Sequence, residues 1–241
     1  MRGKMKIFDL ESPLMQALGK MADLIWLNLL TLICCIPIVT AGAALTALNY
    51  MALKIVRDEE CYITKDYFKC FIRNFRQATI IGILLLFAVC FLVYDYYILG
   101  YINGDFVFVI QIILATVAVA LFFTALYVFA VLAKFDNTVF GTIKNAFLMS
   151  IMQFPKTVLM AVCYLAPAIF FVYFYNFMPF MLMFGLSVPA WVSAQLYNKF
   201  FKKLEEQITA NADPEAEDEN EDEHIFRDEL DEHLSGGIGS K

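Results

Sequence analysis

Histidine is nearly absent from this 241-residue chain, with only His224 and His233, both among carboxylates near the C-terminus. There is no HExxH, no GxSxG and no GxxxxGK[ST]. A zinc-hydrolase helix, a nucleophile elbow and a phosphate-cradling loop therefore have no sequence counterpart. The six cysteines, Cys34, Cys35, Cys61, Cys70, Cys90 and Cys163, form no CxxC and no metal-ligand spacing, so reduced packing thiols are expected. No cofactor or metal is expected, and no enzymatic reaction. Charge is missing in long blocks: Phe106 to Ala133 and Thr157 to Tyr197 carry none, and Ala78 to Leu99 carries only Asp95.

What fills those blocks is apolar. Hydrophobic residues make up 61% of the chain, and the mean hydropathy is +0.65, against about 45–50% apolar residues in soluble domains. That much apolar surface requires lipid as solvent. The formal charge of −6 averages two unlike parts. Residues 1–204 carry 16 Lys and Arg against 10 Asp and Glu, a balance of +6; residues 205–241 carry 2 against 14, a balance of −12. A mildly basic membrane body precedes a strongly acidic tail. The N-terminus interleaves Lys, Asp, Glu and Pro before the first apolar run, unlike a removable signal peptide.

A bilayer core of about 30 Å takes roughly 20 helical residues. On that measure spans are expected at about 78–99, 106–133, 157–175 and 179–197, the last two separated by a turn at Asn176, Met178 and Pro179. The first apolar region, Leu24 to Leu53, is too long for one span and barely enough for two. Pro37 and Gly42 predict a break within 37–42, giving short helices at about 21–36 and 42–56. If that pair crosses twice, or dips in and returns, all 16 basic residues of the body fall on one side. The opposite loops, Pro37 to Gly42, Gly100 to Asp105 and Asn176 to Met178, contain no Lys or Arg. The fold class expected is an all-α polytopic membrane bundle. It has an N-terminal short-helix hairpin, amphipathic cytoplasmic connectors, a transmembrane domain over 1–204 and a mostly disordered acidic cytoplasmic tail over 205–241. Both termini are expected in the cytoplasm.

Two connectors are patterned. Lys65, Lys69, Arg73 and Arg76 recur at helical spacing, with Phe68, Phe71, Ile72 and Phe75 on another side. Phe140, Ile143, Phe147 and Ile151 mark a second apolar stripe, with Asn137 as its N-cap and Pro155 as its stop. Each reads either as a connector packed on the bundle or as a partner-docking surface. In the tail, Phe226, Leu230 and Leu234 fall at i, i+4 and i+8, the pattern of a segment that folds against a partner. A solvated tail with chance spacing is the alternative. Asp95 is the one carboxylate near the end of a span, among Tyr94, Tyr96, Tyr97 and Tyr101. It is expected to be an interfacial group bonded to tyrosine hydroxyls, the alternative being a solute-facing group. Asn28, Asn49, Gln111 and Gln195 are expected to hydrogen-bond between helices.

The stretches FDLESPLMQALGKMADLIWLNLLTLICCIPIVTAGAALTALNYMALKIVRDEE, YFKCFIRNFRQAT and KNAFLMSIMQFPKT resemble the YesL family of bacterial integral membrane proteins over about residues 7–203. The resemblance implies a multi-pass protein of the bacterial inner membrane, often encoded near carbohydrate-uptake genes and two-component regulators. It carries no catalytic residues. The partners expected are the lipid bilayer and a membrane transporter or regulatory protein, not nucleic acid. The function expected is that of a non-catalytic accessory or regulatory partner of a membrane complex such as a carbohydrate uptake system. A small-solute transporter or channel is the alternative.

The charge distribution makes a topological prediction. In a background with the native cysteines replaced, Lys4→Cys should resist an impermeant thiol reagent in intact cells while Asn103→Cys reacts. Equal external labelling of both would reject the hairpin reading of residues 24–53.

Overall fold

The computed structural model describes residues 13–59, 62–102, 105–135, 137–173 and 183–209. Every regular element among them is helical. Six helices run in order: α1 (Pro13–Cys35), α2 (Ile38–Val56), α3 (Ile63–Leu99), α4 (Asp105–Lys134), α5 (Val139–Met152) and α6 (Phe154–Tyr173). A further helix, α7, covers 187–209. Stretches of α1, α2, α3 and α4 are each long and apolar enough to cross a membrane, and α5 with the first part of α6 forms a bent pair, apolar enough for a broken span or a re-entrant loop. The chain is a multi-pass helical membrane protein. Two compact units divide it, 1–196 and 197–241; the second is described only to 209, where Tyr197 and Phe201 pair with ring centroids 4.7 Å apart.

The break in the first apolar region is shorter than expected and confined to Ile36 and Pro37. Pro37 is the N-cap of α2 at φ −76°, ψ 122°, an extended geometry in which its missing N–H costs nothing. Thr40 closes the corner. Its Oγ1 lies 2.6 Å from the Cys34 carbonyl oxygen, an acceptor near the open end of α1, and 2.8 Å from that of Pro37. Helix α2 then starts at Ile38, and Gly42 lies inside it rather than at a turn.

At Gly42 the backbone of α2 lies directly against that of α3. A Cβ there would overlap the Ala78 carbonyl oxygen of α3 and would lie 3.5 Å from the Gly82 Cα. Only a residue with no side chain lets the two backbones meet at that distance. Along the rest of α2 the buried residues are mostly small: Ala43, Ala44, Thr46, Ala47 and Ala52, with Leu48, Met51, Leu53 and Ile55 filling between them. Helix α2 packs on α1, α3 and α4 and is the most buried of the four candidate spans.

Helix α3 differs from the sequence expectation in its length. The basic connector and the span at 78–99 are one continuous helix, Ile63–Leu99. No proline interrupts it, and Gly82 alone is tolerated in a helix interior at about 1 kcal/mol. Its buried residues, Tyr67, Cys70, Asn74, Ala78, Ile81 and Leu85, follow one face through the first two thirds. Beyond them Phe87, Phe91, Val93 and their neighbours are exposed, as are Phe106, Phe108 and Ile112 at the start of α4. On α4 the buried residues begin at Thr124 and continue through Tyr127, Val128 and Ala130 to Ala133. These two helices therefore present their far halves to lipid and pack the bundle at the other end. Between them lies an apolar groove of about 290 Å³ lined by Leu85, Val89, Leu92, Ala118, Leu121 and Phe122.

The α5 segment corrects the sequence reading more deeply. Its N-cap is Thr138, whose Oγ1 accepts from the Gly141 N–H, not Asn137. It ends at Gln153, and Pro155 belongs to the first turn of α6, where a proline needs no N–H partner. Of the stripe Phe140, Ile143, Phe147 and Ile151, all but the half-buried Ile143 are exposed, Phe140 being 83% exposed. What α5 buries is Thr142, Ala146, Met149 and Ser150. The axes of α5 and α6 meet at 103°.

The last expected pair of spans is described in part. Helix α6 covers 154–173, close to the expected 157–175, with Pro167 inside it. The turn expected at 176–179 lies outside the described residues. Of the span expected at 179–197, the described part turns at 185–186, is helical from 187 and extends to 209. The tail over 210–241, with Phe226, Leu230 and Leu234, is likewise outside the described residues.

Candidate functional site

Three polar features bear on function: the exposed basic face of α3, the buried polar contacts that join the helices, and Asp95. Lys65, Lys69, Arg73 and Arg76 are all exposed, which a 3.6-residue period allows once Tyr67, Cys70 and Asn74 take the inward face. The inward face is held by specific bonds. The Tyr67 hydroxyl donates to the Ala44 carbonyl of α2 at 3.3 Å, and Asn74 Nδ2 donates to its own helix at the Cys70 carbonyl, 3.2 Å away. Lys54 of α2 pairs with Asp66 of α3 at 3.0 Å, both partly buried. Lys20 of α1 pairs with Asp58 in the α2–α3 link, where Asp58 has φ 54°, a left-handed geometry that aspartate tolerates.

The same face carries apolar groups that the connector reading assigned to packing. Phe68 and Phe75 are exposed and Ile72 is 71% exposed, while Phe71 is half-buried. Phe71 lies 5.6 Å from Phe75 and 6.3 Å from Phe68 between ring centroids. The outward surface of α3 thus interleaves four cations with an aromatic and aliphatic row.

Among the predicted inter-helix amides, Asn28 has a role that its sequence position does not reveal. Fully buried in α1, its Oδ1 accepts from the Leu186 N–H at 2.8 Å and the Ser187 N–H at 2.9 Å. It therefore caps α7, which begins inside the bundle rather than in water. Asn49 Nδ2 donates to the Leu45 carbonyl of its own helix at 2.9 Å. Gln111 is half-buried and Gln195 exposed. The contacts that sequence reasoning missed are Gln77, whose Nε2 reaches the Asn137 carbonyl at 2.6 Å and Thr142 Oγ1 at 3.4 Å, and Thr157. The latter lies 3.2 Å from the Tyr127 hydroxyl and donates to the Ser150 and Gln153 carbonyls at the α5–α6 corner. Single Gln and Thr residues of this kind have no spacing that would announce them. At the same corner the Gln153 side chain is buried with neither end hydrogen-bonded among the described residues.

Asp95 is half-buried near the end of α3 and has no hydrogen bond or ion pair among the described residues. The expected bond to a tyrosine is not made. Tyr101 hydrogen-bonds Tyr97 instead, with ring centroids 5.0 Å apart. Positions i and i+4 share a helix face, whereas Asp95 stands two residues from Tyr97 and points away from it. The bond to Tyr97 raises the Tyr101 phenol above its usual pKa.

These roles separate in mutants. Asn28→Ala should destabilise the protein by about 2 kcal/mol, because a lost cap also strands two buried N–H groups. Asp95→Asn should leave membrane abundance and thermal midpoint unchanged. A thermal scan in detergent checks both; equal midpoints for Asn28→Ala and wild type, or a loss for Asp95→Asn, would contradict the assignments.

Comparison with known proteins adds one finding. No curated protein and no solved structure matches the chain. From residue 24 in α1 to residue 96 in α3, a stretch that contains the Gly42 crossing and the basic face, the chain matches the model of a family described as a protein of unknown function, DUF624.

Proposed function

We propose that this protein is a non-catalytic accessory or regulatory subunit that docks on another membrane complex. The observation that carries this reading is the exposed α3 surface, where Lys65, Lys69, Arg73 and Arg76 stand beside Phe68, Ile72 and Phe75. A charged and apolar row of that kind suits an acidic, partly apolar protein surface at the membrane boundary. The resemblance to the YesL family supports a place in the bacterial inner membrane with both termini cytoplasmic. It also supports a carbohydrate uptake system as the class of partner. The acidic tail, through Phe226, Leu230 and Leu234, offers a second docking segment in the same reading.

A transporter or channel is the second reading, favoured by one feature: α7 starts inside the bundle, with its N-terminus held by Asn28. Helices interrupted within a membrane are a recurring device of transporters.

Affinity purification from native membranes in a gentle detergent separates the two. The wild type should bring down a membrane complex at fixed stoichiometry. Ile72→Ser combined with Arg73→Glu should reduce that recovery about tenfold with membrane abundance unchanged, as expected when a central contact of an interface is lost. Purification of the chain alone, with solute flux in liposomes, would overturn the docking reading in favour of transport.

A further inference from the structure

The 103° bend between α5 and α6 is made across a single residue, Gln153. Its backbone is held from several sides. The Gln153 carbonyl accepts from the Lys156 and Thr157 N–H groups, each at 2.9 Å, and from Thr157 Oγ1 at 3.0 Å. The same hydroxyl reaches the Ser150 carbonyl at 2.9 Å, so one side chain of α6 clips the last turn of α5. With its proton committed to those carbonyls, Thr157 accepts from the Tyr127 hydroxyl of α4, 3.2 Å away.

The Gln153 side chain is in the opposite situation. It is 8% exposed, and neither Oε1 nor Nε2 has a hydrogen-bond partner among the described residues. Both atoms have almost no accessible surface, so a water molecule does not fit beside either. An amide buried in this way lacks its donor and acceptor bonds at once, and only a change of conformation relieves that cost. The two arms of the corner are unequally held. Helix α5 is anchored at its start, where Gln77 of α3 reaches the Asn137 carbonyl and Thr142. Over its first half α6 buries Thr157, Met160 and Ala161 but exposes Phe154, Val158, Leu159 and Val162. Helix α6 is thus the arm with room to move, and Thr157 is the contact that restrains it.

We propose that the α5–α6 corner is a two-state hinge poised by Gln153. In the bent form the Thr157 clip holds the corner closed while the Gln153 amide is stranded. In the open form α6 swings outward about Gln153, the clip breaks, and the amide bonds to water or to the freed Ser150 carbonyl. The two effects oppose each other and bring the forms close in free energy, the condition under which a modest differential contact can switch a protein between states. The hinge is independent of the docking and transport readings, and its test involves neither a partner nor a solute.

The full-length protein, with its native cysteines replaced, carries spin labels at Lys144→Cys on α5 and Leu165→Cys on α6, both exposed positions. The distance between the labels is measured in detergent by double electron–electron resonance. With Gln153 intact two distances should appear, the shorter from the bent form, because opening moves the arms apart. Gln153→Leu should raise the ratio of shorter to longer by about tenfold, since it removes a buried amide that has no bonds. Gln153→Met, closer to glutamine in shape, should act in the same direction and carries the test if the leucine variant does not fold. Thr157→Val, which removes the clip, should shift the ratio several-fold the other way. A single distance with Gln153 intact would overturn the proposal. So would a ratio that neither Gln153 variant changes, or a shift of either variant toward the longer distance, which would mean that the amide is bonded in the bent form.

Discussion

The crossing of α2 over α3 sets the geometry of the N-terminal bundle. With Gly42 against the Ala78 carbonyl and Gly82 behind it, the two backbones touch without an intervening side chain. Water supplies no hydrophobic force between helices inside a bilayer, so association rests on close packing and a few hydrogen bonds. This contact permits both. It brings Thr79 Oγ1 to 3.1 Å from the Val39 carbonyl and the Tyr67 hydroxyl to Ala44. It also leaves α2 surrounded by α1, α3 and α4. The alanines that follow on α2 are buried for the same reason, since larger side chains would hold the helices apart.

Once that face of α3 is committed to α2, the remaining faces have no freedom. A 3.6-residue period that turns Tyr67, Cys70 and Asn74 inward turns Lys69, Ile72, Arg73 and Arg76 outward. The surface proposed for docking is thus a consequence of the crossing and of α3 being unbroken from Ile63 to Leu99. The start of α3 is brought beside α1, where Trp26 bonds Thr64, and the tight Ile36–Pro37 corner keeps α1 next to α2.

Helix existence was legible in the sequence because it follows from the length of uncharged runs; 106–133 was expected and Asp105–Lys134 is observed. Facing was not legible from apolar periodicity. Phe140, Phe147 and Ile151 mark a helix face correctly, but that face is outward, and the residues that identify the packed side are Thr142, Ala146 and Ser150. Pro155 was legible as a breakpoint to within two residues, though it starts a helix rather than ending one. Asn28 was read as an inter-helix amide, but its partner near Ser187 lies more than 150 residues away, and no local pattern encodes such a pairing.

The comparison of Gly42→Ala with Gly82→Ala probes the crossing most directly. Both substitutions exchange a helical glycine for alanine, which by propensity alone should stabilise by up to about 1 kcal/mol. At Gly82 the new methyl would meet Gly42 at ordinary contact distance, with its Cα 3.5 Å away, and the thermal midpoint in detergent should stay level or rise. At Gly42 the methyl would strike the Ala78 carbonyl oxygen. Backbone atoms must then move apart, at a cost of up to about 3 kcal/mol that outweighs the propensity gain, and the midpoint should fall. A Gly42→Ala midpoint equal to or above that of Gly82→Ala would contradict a direct backbone contact between α2 and α3.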